Sequence, residues 1–131
     1  MTPTRSPGIR LRATDYVTED PLRRGSVVWV DFSPTRGREQ RGTRPALVVA
    51  SDGYLKHVRD LIIVVPLTST DRGWPHHVPV TGGATQLNQQ SFAMTEQPRT
   101  ISRERVARRT GAVDVQTLSE VDQWLRDFLA L

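Results

Sequence analysis

The stretch PTRGREQRGTRPALVV, Pro34 to Val49, places four arginines and one glutamate ahead of a run of strand formers. A guanidinium is a planar fork that donates paired hydrogen bonds, and phosphate is among its best counterparts. The connection from Ser33 to Arg44 is long for a hairpin, where about two to five residues suffice, and connections of that length are more often functional than incidental. Gly37 and Gly42 near its ends would let it move over a site. Arg36, Arg38 and Arg41 also suit a plain solvated basic loop. Arg44 is different, because it precedes Pro45 and is therefore held extended as it leads into a strand. A guanidinium fixed at a strand end is better positioned than one at a loop tip.

PLTST, Pro66 to Thr70, is a second candidate. A buried strand that ends in Thr68-Ser69-Thr70 delivers hydroxyls to a sheet rim, although such hydroxyls commonly only satisfy local backbone. His76 and His77, in WPHHVPV, have the usual side chain for acid–base work. Being adjacent on an expected strand, they should point to opposite faces and not act as a pair, with one of them lining a groove. Trp74 would cover the end of the fold or stack a base. No cysteine is present and no spaced carboxylates accompany the histidines, so no metal site is expected. Neither a phosphate-binding glycine loop nor a G-x-S-x-G elbow occurs.

These groups need a scaffold, and 131 residues suffice for one domain with a real core. Residues 1–20 are polar and aperiodic and read as a flexible tail, leaving 21–131 as the folded domain. In RRGSVVWVDF, Val28, Val30 and Phe32 alternate with Val27, Trp29 and Asp31, which predicts a half-buried strand. Pro45–Ser51 reads as a second strand, and DGYLKHV as a short helix or turn. LIIVVPL reads as a central buried strand that Pro66 ends. HHVPV, QSFAMTEQ and RRTGAV read as further short strands, and ISRER as one helical turn. Asp114 is a plausible N-cap, with Thr117 and Glu120 as a competing capping box, for a helix striped by Leu118, Val121, Leu125 and Phe128. The expected fold is mainly β with short helices, a small curved sheet or barrel closed by one amphipathic helix.

Net charge is +4, and 17 of the 18 cationic residues are arginine. Besides the four in residues 33–44, five fall between 99 and 110. Two basic clusters on a short domain form an electrostatic footprint for nucleic acid. A composition that simply prefers arginine to lysine yields the same counts. The absence of cysteine points to a reducing cytoplasm. The longest apolar run, Leu61 to Val65, is far short of a membrane span, and residues 1–21 hold no apolar stretch that would serve as a signal.

In order and spacing, RRGSVVWVDFSPTRGREQRGTRPALVV, VVPLTS, EQPRTISRERV and the closing helix resemble the MazF/PemK (Kid) toxins, the ribonuclease halves of bacterial toxin–antitoxin pairs. The resemblance runs from about Arg24 to Leu131. It implies an SH3-like small barrel and a symmetric homodimer. It also implies an endoribonuclease that needs neither metal nor cofactor and cuts single-stranded RNA at a short sequence, leaving a 2′,3′-cyclic phosphate and a 5′-hydroxyl. By motif position Arg44 and Thr68 are the implied catalytic pair, with Glu39 of the GxEQ motif as a third member. Arg36, Arg38, Gln40, Ser69, His77, Glu96 and Arg99 are expected RNA contacts. Met94 stands where Kid-type members carry a catalytic arginine, which leaves more of the chemistry to Arg44. The implied partner is a MazE-like antitoxin whose acidic, disordered tail would mimic RNA charge. Two rivals share this barrel: a CcdB-like gyrase poison without a catalytic site, and a non-catalytic RNA-binding module.

Overall fold

A computed structural model describes residues 21–32, 42–80 and 83–131. The expected tail at 1–20 lies outside the described residues. So does most of the basic loop, and with it Arg36, Arg38, Glu39 and Gln40. Seven strands form: β1 (Ser26–Val30), β2 (Arg44–Val48), β3 (Leu61–Thr68), β4 (His77–Val80), β5 (Ser91–Met94), β6 (Arg99–Ser102) and β7 (Val106–Ala112). Among the described residues two α-helices, α1 (Asp52–His57) and α2 (Val115–Leu129), join them, with short 3-10 turns at Gly83–Thr85 and Arg103–Arg105. All pairings are antiparallel, in the order β4-β5-β3-β2-β1-β7, with β6 branching from β3. The mainly β architecture with a terminal helix is the one expected. Its sheet remains open between β4 and β7, which do not pair among the described residues.

Alternation along the strands separates two buried clusters. Val28, Val30, Ala46, Val48, Ile62 and Val64 pack with Leu55 of α1. Val27, Leu47, Val65, Leu67, Val78 and Ala93 pack with Val121 of α2. β1 is thus buried on both faces, with Val27 and Val28 each 0% exposed, not half-buried as its alternation predicts. The covering element is α2, which only the tertiary fold brings over that face.

Two other expectations change. β3 continues through Pro66 to Thr68. Proline lacks a ladder donor, but here it sits where β3 changes neighbours, after β6 has paired with Leu61–Val64 and before β5 pairs with Leu67. Of ISRER, Arg103–Arg105 makes the expected helical turn, a 3-10 one, while Ile101 and Ser102 belong to β6, which pairs with β3. α2 starts as expected at Asp114, whose Oδ1 accepts from the Thr117 N–H at 2.8 Å. Val121, at its centre, is fully buried, while Phe128 stays 45% exposed at its far end.

Candidate active site

Arg44 opens β2 and Thr68 closes β3. The two strands pair with Ala46 opposite Pro66, Leu47 opposite Val65 and Val48 opposite Val64. The paired residues end at Ala46 and Pro66, and Arg44 and Thr68 lie two residues beyond them, one at the head of β2 and the other at the end of β3. Both line one cavity of about 690 Å³. Ser69 and Thr70 lie beside them, and Gly42 and Thr43 lead in from the basic loop. Gly42 has a φ of 140°, a backbone state that side chains resist. No described carboxylate lines the cavity, so Arg44 faces a wall of hydroxyls, amides and apolar groups plus one further guanidinium, Arg108.

The Thr68 hydroxyl has a defined orientation. Its oxygen accepts from the Thr70 N–H at 3.1 Å. With a lone pair engaged there, its hydrogen is available to donate elsewhere. Arg44 and Thr68 therefore present three potential donors at one rim, two from the guanidinium fork and one from the hydroxyl.

The structure brings Ser69 to this pair but sets His77, Glu96 and Arg99 apart. Arg99 lies opposite Val64, four positions before Thr68 on β3 and roughly 13 Å away along the strand. Its guanidinium lies over the Phe32 ring, 4.7 Å from the centroid. His77 is only 4% exposed, and its Nε2 meets both Glu96 oxygens at 3.1 Å. His76 reaches the same carboxylate at 3.5 Å. The expectation that the two histidines diverge is therefore corrected. His76 belongs to the turn before β4, where strand alternation does not apply, so both imidazoles converge on Glu96. Burial works to raise the Glu96 pKa. Hydrogen bonds from His77, its own backbone and Gln97 outweigh it and hold the carboxyl below the usual range.

The ligand atoms of His76, His77 and Glu96 all lie within 4.8 Å of one another. Donors of a tetrahedral zinc at about 2.1 Å would stand about 3.4 Å apart, so spacing alone admits an ion. The surroundings of His77 do not. A metal on Nε2 leaves a proton on Nδ1, which ordinarily needs an acceptor, yet His77 Nδ1 is buried with no partner. With Nε2–H donating to Glu96, Nδ1 carries only a lone pair, which is the smaller penalty. The cluster is built as a hydrogen-bonded clasp between β4 and the β5–β6 turn.

The second arginine cluster proves largely structural. Arg103 donates to the Leu61 and Val58 carbonyls at 3.1 and 3.0 Å, Arg105 to the Asp31 carbonyl at 3.0 Å, and Arg109 to the Ser26 hydroxyl at 3.3 Å. Sequence reading missed Trp29, Arg108, Thr110 and the amides of Gln86, Asn88 and Gln89, which form the cavity's other walls. The amide run itself was a visible signal; the cross-strand position of Arg108 was not.

No helix among the described residues is long and apolar enough to cross a membrane. Endoribonuclease MazF9 of Mycobacterium tuberculosis is 36% identical over 115 residues, covering 84% of this chain and 98% of that protein. Endoribonuclease toxin MazF of Escherichia coli is 34% identical over 95 residues, covering 72% and 81%. A MazE–MazF crystal structure from Deinococcus radiodurans superposes with a TM-score of 0.72 at 28% identity, over 86% of this chain and 99% of that one. The family model for PemK-like, MazF-like toxins of type II toxin–antitoxin systems matches residues 23–129, and the chain belongs to that family.

Proposed function

We propose that this protein is the toxin of a toxin–antitoxin pair and works as an endoribonuclease on single-stranded RNA in the cytoplasm. The observation that supports this reading is one cavity, free of described carboxylates, that Arg44 and Thr68 line together from neighbouring antiparallel strands. In this reading the 2′-hydroxyl attacks the adjacent phosphorus, and the bond from phosphorus to the 5′-oxygen breaks. A cyclic phosphate and a 5′-hydroxyl remain, without a metal ion. The Arg44 fork donates two hydrogen bonds to the phosphorane oxygens and Thr68 a third. Removing one such donor costs on the order of 3 kcal/mol of transition-state stabilisation. Arginine barely deprotonates, with a pKa above ~12, so the proton of the attacking hydroxyl goes to Glu39, the leaving 5′-oxygen takes a proton from water, and Glu39 returns its own to solvent.

Around this centre Ser69 hydrogen-bonds the substrate, and Arg36, Arg38, Gln40 and Arg99 grip the strand, which makes binding salt-sensitive. Glu96 contacts RNA in an orientation set by buried His77, whose own part is therefore indirect. The chain works as a homodimer, and an antitoxin with an acidic tail silences it by occupying the cationic groove. The test is cleavage of single-stranded RNA in EDTA by wild type, Arg44→Ala and Thr68→Ala. Both variants should lose cleavage by at least about 100-fold while binding RNA with little change. Wild-type rates in both would reject the assignment. No cutting by the wild type, together with trapped gyrase, would favour the gyrase-poison alternative.

A further inference from the structure

We infer that Arg108, laid on the Trp29 ring, reads a guanine base next to the scissile phosphate; this rests on the ribonuclease reading above. Arg108 faces Trp29 across the β1–β7 pair, with its guanidinium carbon 5.0 Å from the indole centroid. An arginine stacked on an aromatic face keeps the edge of its fork free while losing much of its freedom. Arg103, Arg105 and Arg109, by contrast, already bond carbonyls or a hydroxyl with theirs. Arg108 is exposed and lines the same cavity as Arg44 and Thr68, where no described carboxylate competes for it.

The opposite wall is built, not incidental. Gly111 of β7 lets the Gly83–Thr85 turn approach so closely that a Cβ there would stand 2.0 Å from the Ala84 oxygen. The chain leaving that turn carries Gln86, Asn88 and Gln89 over the cavity. Gln86 has a φ of 58°, a left-handed state that costs a non-glycine residue roughly 1 kcal/mol or more and tends to mark ligand sites. Two buried polar atoms without a partner, Trp29 Nε1 and Thr110 Oγ1, belong to lining residues of this cavity.

The chemistry selects the base. An arginine fork offers two parallel donors. Guanine presents two adjacent acceptors, O6 and N7, whereas the same edge of adenine pairs an acceptor with a donor. In single-stranded RNA that edge is open to reading. Arg108 stands across Trp29 from Pro45, so its side chain and that of neighbouring Arg44 leave opposite faces of the sheet. Both nonetheless line the cavity, and with β7 two strand spacings, roughly 10 Å, from β2, the base read flanks the phosphate held at Arg44.

The test uses the full chain and a single-stranded RNA pool of randomised sequence, with cut sites read from the new 5′ ends. Wild type should show guanine enriched at one position close to the cut. Arg108→Ala should flatten that position alone, keep the wild-type melting temperature, and cut guanine-bearing RNA about 10- to 100-fold less efficiently. Replacing that guanine by 7-deazaguanine, which lacks N7, should slow the wild type but not Arg108→Ala. An absence of guanine preference in the wild type, or its survival in Arg108→Ala, overturns this subsite while leaving the ribonuclease reading intact. Failure of the wild type to cut any RNA overturns both.

Discussion

Gly111→Ala is the substitution whose effect the structure sizes most directly. A Cβ at this position would lie 2.0 Å from the Ala84 carbonyl oxygen and 2.8 Å from the Thr85 carbonyl carbon and oxygen. Comfortable contact begins near ~3.5 Å, so β7 and the 83–85 turn must separate by roughly 1.5 Å. The obstructing atoms are backbone, and no side-chain rotation relieves them. Overpacking of this kind costs about 1–3 kcal/mol, which in a domain of this size lowers the melting temperature by roughly 4–15 °C. The function should suffer separately from the fold. The turn leads into the wall bearing Gln86, Asn88 and Gln89, and a displacement of about 1 Å at a positioned group can cost up to ~100-fold in rate. Arg44 and Thr68 sit on β2 and β3 and should stay in place. The expected result is a lowered melting temperature together with a 10- to 100-fold fall in kcat/KM below the melt, with cleavage still measurable. Thermal denaturation and single-turnover cleavage read the two effects independently. A variant that melts within about 2 °C of wild type and cuts at the wild-type rate would show that the turn does not rest on Gly111.

Two further substitutions separate roles within the site. Glu39→Gln removes the proposed proton acceptor and should slow cleavage by more than about tenfold without weakening RNA binding; a smaller loss removes Glu39 from that role. Glu96→Gln tests the histidine clasp through pH. The folded Glu96 pKa is depressed, so its contribution to stability is present above the unfolded glutamate value and disappears as pH falls through the folded one. Wild type should therefore melt higher than Glu96→Gln at neutral pH, and the gap should close in acid. A gap independent of pH would mean that the carboxylate charge contributes nothing to the clasp.

The legible parts of this protein are those decided by near neighbours. Alternating apolar residues identify β1, a proline holds Arg44 extended at the head of β2, and an aspartate followed by a helical stripe begins α2. Each depends on contacts within a few positions, so composition and period suffice to read them. The mistakes occur where an element's partner matters. Pro66 reads as a strand end until the change of neighbour from β6 to β5 is known, and His76 reads as a strand residue until the turn before β4 is seen.

What brings Arg44 and Thr68 to one cavity, or Arg108 to Trp29, is the pairing of strands, and register is a property of such pairs. A period of two tells which side chains share a face but not which residue of a distant strand stands opposite. The same limit concealed the carbonyl partners of Arg103 and Arg105, which make much of an apparent RNA-binding cluster structural. The sequence by itself thus determined which chemistry was available and which local backbone would carry it. The tertiary structure decided which of those groups meet, because closing a long chain segment places residues side by side through sheet pairing that no local pattern encodes.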